Sequence, residues 1–172
     1  MTIDQKKQLE QQLWNIADSL RGKMNADEFR DYCLGFIFYK YLSEHMLQYA
    51  NNILSEDGII YTGIDESSAD GQEYLAEIKQ EAIQEIGYFL KPGELFHAIA
   101  IRASKADTDA QEGFILDDLS RVLSNIESST MGSESEEDFI HLFEDLDLTS
   151  TKLGRTEKAK NELIAKILSH LD

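Results

Sequence analysis

The sequence predicts a mainly α fold, a multi-helix bundle of about six to eight helices with room for one short β-hairpin. Apolar residues recur at three- and four-residue spacing along almost the whole chain. The hydrophobic share of 42%, with 8 Phe and 7 Tyr, is too rich for a disordered polypeptide. A single cysteine, Cys33, excludes an intrachain disulfide framework and a four-thiolate zinc site. A length of 172 residues fits one compact domain, at most two small ones, and buries roughly 70% of the unfolded surface. One proline and 10 glycines exclude collagen-like and Pro-rich architectures.

The first stripe is Leu9, Leu13, Ile16, Ala17 and Leu20, broken by Arg21-Gly22-Lys23. Asn25 followed by Glu28 has capping-box spacing: Asn25 accepts an amide hydrogen bond and Glu28 reaches back. A long helix then runs from Ala26 to Leu54. Phe29, Cys33, Phe36, Ile37, Tyr41 and Leu42 face inward, and Tyr32, Phe38 and Tyr39 make it apolar nearly all round. Such a helix belongs at the centre of a fold.

Ser55 to Gly71 is a break, in which Ile59 to Thr62 forms a short strand candidate. Leu75, Ile78, Ala82 and Ile86 mark the next helix, ended by Gly87. Tyr88-Phe89-Leu90 is the second strand candidate, able to pair with the first. Pro92 opens a further helix with Leu95, Phe96, Ile99 and Ala100. Ser104 to Gly113 reads as a polar loop, and Ile115, Leu119, Val122, Leu123 and Ile126 as another helix. Ser128 to Ser135 is a Ser/Gly linker. Ser135 with Asp138 caps a short helix holding Phe139, Leu142, Phe143 and Leu146. After a turn over Thr149 to Gly154, the last helix carries Leu163, Ile164, Ile167, Leu168 and Leu171. That stripe runs uncapped into Asp172, as expected of a chain cut from something longer or of an end that docks on another surface.

The formal net charge is -17, unevenly spread. Glu134 to Asp147 contains seven acids and no Lys or Arg, and Glu56 to Glu85 contains nine acids and only Lys79. Against this, Thr149 to Lys160 holds Lys152, Arg155, Lys158 and Lys160 with only Glu157 opposing, and Arg21 with Lys23 forms a second basic spot. The acidic whole disfavours non-specific DNA binding by this chain alone, because phosphate contacts need cations. A local basic loop can still touch a backbone where partners supply further cations. The bland alternative is that both basic spots are solvated surface.

The polar N-terminus has no apolar h-region behind it. The most apolar run, Tyr32 to Tyr39, is far short of the roughly 20 residues a span needs. The expected location is therefore cytoplasmic, without membrane contact.

Several enzyme classes are excluded by spacing. No two glycines are separated by one residue, so no G-x-G cofactor loop exists. The lone proline follows Lys91, which excludes an Asn-Pro-Pro motif. There is no P-loop and no G-x-S-x-G elbow. His45, His97, His141 and His170 lack zinc-pair spacing. Cys33, within an apolar helical stretch, reads as a small buried hydrophobe. Glu66, Ser68, Asp70, Gly71 and Glu77 partly match a calcium-loop template. Glu at its first position is one methylene too long, so a polar loop capping the next helix is the better reading.

Two stretches carry a resemblance. The first is Leu13-Trp14-Asn15-Ile16-Ala17-Asp18-Ser19-Leu20-Arg21-Gly22, running on to Glu28-Phe29-Arg30-Asp31-Tyr32 and Phe38-Tyr39-Lys40-Tyr41-Leu42. The second is Phe143-Glu144-Asp145-Leu146-Asp147-Leu148 with Lys152-Leu153-Gly154. Met24 to Tyr41 and Gly87 to Phe96 extend the likeness over nearly the whole chain. Together they resemble the N-terminal helical domain of the modification (methylase) subunit of type I restriction-modification systems.

The resemblance implies that residues 1–172 are a single N-terminal helical domain, with the S-adenosylmethionine-binding methyltransferase domain following and absent here. The implied parent methylates adenine N6 in DNA. Its implied partners are a specificity subunit, a second modification subunit, a restriction subunit and double-stranded DNA. No catalytic, cofactor or metal residue carries over, so the expected role is a non-catalytic DNA clamp and assembly domain. Lys152 and Arg155 are the first candidates for phosphate or partner contact, then Arg21 and Lys23, with Lys158 beside them. Lys152 and Arg155 could instead pair with Asp145 or Asp147. The rival reading is a stand-alone acidic helical interaction module or DNA mimic, for which the charge and the acid-only stretch speak.

Overall fold

The computed structural model describes residues 3–106 and 114–172. Among the described residues it contains seven α-helices, two 3-10 turns and no strand. The helices are α1 (Ile3–Leu20), α2 (Ala26–Leu54), α3 (Ala69–Glu85), α4 (Phe96–Ala106), α5 (Phe114–Ser129), α6 (Glu136–Phe139) and α7 (Glu157–Leu171).

The central helix α2 has 29 residues, about 43 Å at 1.5 Å per residue. Its start is the capping box read from sequence. The Asn25 side chain accepts from the Glu28 N–H (2.9 Å), and Glu28 Oε2 accepts from the Asn25 N–H (3.0 Å). Tyr32, Cys33, Phe36, Tyr39, Leu42, Ser43, Met46, Ala50 and Leu54 are buried. Tyr41 departs from the expected inward face and is 59% exposed. The 3.6-residue period set by Phe36, Tyr39 and Met46 puts it on the far side, where it stacks on Phe38 and His45.

Helix α7 packs on α4, α1 and α5. Ile164, Ile167 and Leu168 are fully buried, so the uncapped final stripe is covered from within the domain. Buried apolar side chains from every helix except α6 join one connected core. Burial also explains Cys33, whose thiol is pushed up to about 11 by desolvation, which suits a hydrophobe rather than a nucleophile.

The β-hairpin for which the sequence left room does not form among the described residues. Tyr61–Gly63 is a 3-10 turn, and Tyr88 to Leu90 runs without ladder partners. Side chains take the backbone donors that a ladder would use: Asn51 Oδ1 accepts from the Tyr61 N–H (2.8 Å) and Ser129 Oγ from the Phe89 N–H (3.1 Å). The two segments still meet, through the Tyr61 hydroxyl donating to the Leu90 carbonyl.

Other boundaries also moved. Pro92 opens a separate 3-10 turn, Pro92–Glu94, because Leu95 is extended and the buried Ser43 hydroxyl caps the Phe96 N–H at 2.6 Å. Ser104 to Ala106 are helical, and the rest of the expected polar loop, residues 107–113, lies outside the described residues. The short helix stops at Phe139 without a side-chain cap from Ser135. His141, at φ 62, turns the chain out of helical geometry, so Leu142, Phe143 and Leu146 sit on successive turns. Gly87, at φ 88, ends α3 as expected, and Ser68 caps the start of α3 by accepting from the Gly71 N–H.

Candidate nucleic-acid and partner interface

The two basic spots, separated by more than a hundred residues in sequence, lie at one end of α2. Lys152 Nζ donates to Glu28 Oε1, while Glu28 Oε2 closes the capping box. Lys23 is two residues before Asn25, so the turn between α1 and α2 and the turn before α7 share this corner. The Tyr32 hydroxyl adds a second tie by donating to the Asp147 carbonyl. Burial first, then the Asp147 charge, pushes the Tyr32 phenol up to about 12.

The candidates differ in freedom. Lys152 is engaged with Glu28, rather than with Asp145 or Asp147. Its ammonium group, with the Asn25 N–H, holds the Glu28 carboxyl below the usual range. Arg21 pairs with Asp18 at 2.6 Å, both well exposed. Lys160, counted with the basic stretch, is buried; its Nζ donates to the Thr149 carbonyl (2.9 Å) and Glu157 (3.2 Å), pinning the loop to α7. Lys23, Arg155 and Lys158 are exposed and have no ion-pair partner among the described residues. Arg155 precedes the Thr156 cap of α7, and Lys158 lies in its first turn.

A surface that the sequence reading missed runs along α2. Leu34, Phe38 and Tyr41 are 56%, 39% and 59% exposed, and their spacing places them on one helix face. Trp14 on α1 is 63% exposed. The signal was present as the i, i+4, i+7 spacing of Leu34, Phe38 and Tyr41, opposite Phe36 and Tyr39. Contiguous exposed apolar patches mark interaction surfaces, and aromatic residues are enriched at them.

No methyl-donor cradle is formed by the described residues. Such a cradle needs glycines between a strand and a helix. Here Gly22 (φ 75), Gly58 (φ 67), Gly87 and Gly132 (φ 78) serve turns and helix ends, and Gly71 lets α3 start against the Asp65 carbonyl. No helix among the described residues is long and apolar enough to cross a membrane.

The family model for the HsdM N-terminal domain matches residues 9–171. This chain belongs to the HsdM N-terminal domain family. It is 31% identical over 173 residues to the type I restriction enzyme MpnII methylase subunit of Mycoplasma pneumoniae, covering 98% of this chain and 31% of that protein. It also superposes on the crystal structure of the type I restriction-modification system methyltransferase subunit from Streptococcus thermophilus. There the TM-score is 0.72 at 32% identity, over 96% of this chain and 33% of that one. An HsdM N-terminal domain of this kind therefore spans about a third of the length of the relatives it matches.

Proposed function

We propose that this chain is the DNA-clamp and subunit-assembly domain of a type I restriction-modification adenine-N6 DNA methyltransferase subunit, without chemistry of its own. The observation that carries the reading is the likeness, in sequence and fold, to a third of the length of subunits named as methylase and methyltransferase. The parent would act in the cytoplasm and draw the methyl group from S-adenosylmethionine, in a domain beyond this segment. A specificity subunit, a second modification subunit and a restriction subunit would be its partners.

Enzymes that flip a base must hold distorted DNA while the base leaves the stack, at a cost of a few kcal/mol. A rigid helical arm can supply that hold without titrating or nucleophilic groups. Lys23, Arg155 and Lys158, without ion-pair partners among the described residues, support phosphate contact at their corner. The exposed Leu34, Phe38 and Tyr41 face supports the assembly half of the role.

Reconstitution with the methyltransferase domain and the specificity subunit, with and without residues 1–172, tests the reading. The complex that contains the segment should bind its DNA more tightly and methylate it faster. Equal DNA affinity in both preparations would reject the clamp. Methyl transfer by the isolated chain would reject its non-catalytic role.

A further inference from the structure

Between α5 and the turns that follow α6 lies an open groove of about 460 Å³, within the ~300–1,000 Å³ of typical ligand pockets. Its floor includes Leu123 from α5 and Phe143 and Leu146 from the turns, each buried but not sealed, with 6–8% exposure. Its rim holds Glu127, Glu144 and Asp147. Among the described residues no Lys or Arg lines it, and His141, the basic group in the lining, is engaged by Glu144 at 3.3 Å.

We propose that this groove takes a basic amphipathic peptide segment of another protein, with apolar side chains on Leu123, Phe143 and Leu146 and Lys or Arg against the three carboxylates. Acid on the rim and apolar floor together select this occupant. Nucleic acid is repelled by the rim, and a small polyamine leaves the floor unused. The basic stretch of a second copy of the chain does not match: there Leu153 is fully buried, and Lys152 and Lys160 are engaged. The Asp147 carboxyl is held below its usual range, first by the Thr149 hydroxyl, so its charge persists through neutral and mildly acidic pH. The contact goes beyond DNA holding and would serve equally in a free-standing acidic module.

The probe is a fluorescent Leu/Lys peptide of amphipathic helical order, titrated into the full chain at physiological salt and followed by anisotropy. A Leu/Glu peptide of the same order is the control. Glu127→Gln with Glu144→Gln should weaken binding about tenfold, which is about 1.4 kcal/mol shared between two partly exposed charges. Glu73→Gln with Glu77→Gln on the exposed face of α3 removes the same charge and should leave affinity within about twofold. The Glu127→Gln change keeps an acceptor for the Phe143 N–H, and unchanged melting curves show that the variants fold. Amide shifts of Leu123 and Phe143 should move on peptide addition. Equal weakening by both variant pairs, equal binding of the Leu/Glu peptide, or no binding would overturn the proposal. DNA affinity does not enter, so this inference and the clamp fail separately.

Discussion

Lys152 reaches across 124 positions of sequence to donate to Glu28, whose other carboxylate oxygen closes the capping box of the central helix. One carboxylate thus fixes both the start of α2 and the loop before α7. Removing Lys152 (Lys152→Met) should lower the melting temperature slightly, because the pair is partly exposed and screened. Asn25→Ala should cost more, about 1 kcal/mol, since it removes the cap itself. A double-mutant cycle of Lys152→Met with Glu28→Gln, read by urea unfolding, should show a coupling that shrinks as salt rises.

Stability should fall at both ends of the pH scale. Glu28, Asp65 and Asp147 all have depressed carboxyl values, caused first by the Lys152, Ser67 and Thr149 side-chain hydrogen bonds respectively. A depressed folded value gives stability that is present above the unfolded range, about pH 4, and is lost as pH falls through the folded values. Burial raises Tyr32, Tyr39, Tyr61 and Tyr88. That stability is full below about pH 10, the unfolded value, and is lost as pH rises through the folded values. Urea midpoints across pH should be flat in the middle, and ultraviolet titration should show four of the seven tyrosines ionising only as the fold opens.

The buried Asp118 carboxylate is held by Arg102 at 2.7 Å and by Arg121, while Arg102 also donates to the Gly93 carbonyl at 2.9 Å. Arg102→Ala leaves Asp118 with Arg121 alone and frees the Gly93 carbonyl, so it should cost about 2 kcal/mol in chemical denaturation. Asp118→Asn, which keeps an acceptor toward Arg102, should cost less. The reverse order would mean that the network does not hold the Pro92–Glu94 turn to α4 and α5.

Two helical glycines should respond differently to alanine. At Gly71 a new Cβ overlaps the Asp65 backbone carbonyl, which cannot swing away. At Gly35 it meets Leu146 Cδ2 at 3.1 Å, the end of a side chain that can shift. Gly71→Ala should therefore destabilise by about 2–3 kcal/mol and Gly35→Ala by under about 1, measured by thermal or urea unfolding.

In the reconstituted complex, Arg155→Glu with Lys158→Glu should weaken DNA binding and flatten its salt dependence. Lys152→Glu should act chiefly on stability, because that cation is already engaged by Glu28. Equal affinity and salt slope for the Arg155 and Lys158 pair would remove this corner from the DNA surface.

Local signals placed most of the helices. The Asn25–Glu28 box, the Gly87 stop and the α7 stripe are written within a few residues, so periodicity and capping spacing reveal them. They also excluded a cofactor loop, since glycine spacing is a one-dimensional property. The strand candidates misled because β-rich composition does not say where backbone donors go; Asn51 and Ser129 took them from α2 and α5. Tyr41 misled because the central helix is apolar nearly all round, and only its neighbours decide which aromatics are covered.

By itself, the sequence determined the mainly helical character, the acidic charge and the family, because these rest on residue type and spacing along one chain. The tertiary structure alone decided which cations remain available, which aromatics face outward, and that the two basic spots share a corner. Those are properties of pairs far apart in sequence, such as Lys152 with Glu28, and such pairs form only when burial of the core brings α2 and the loop before α7 together.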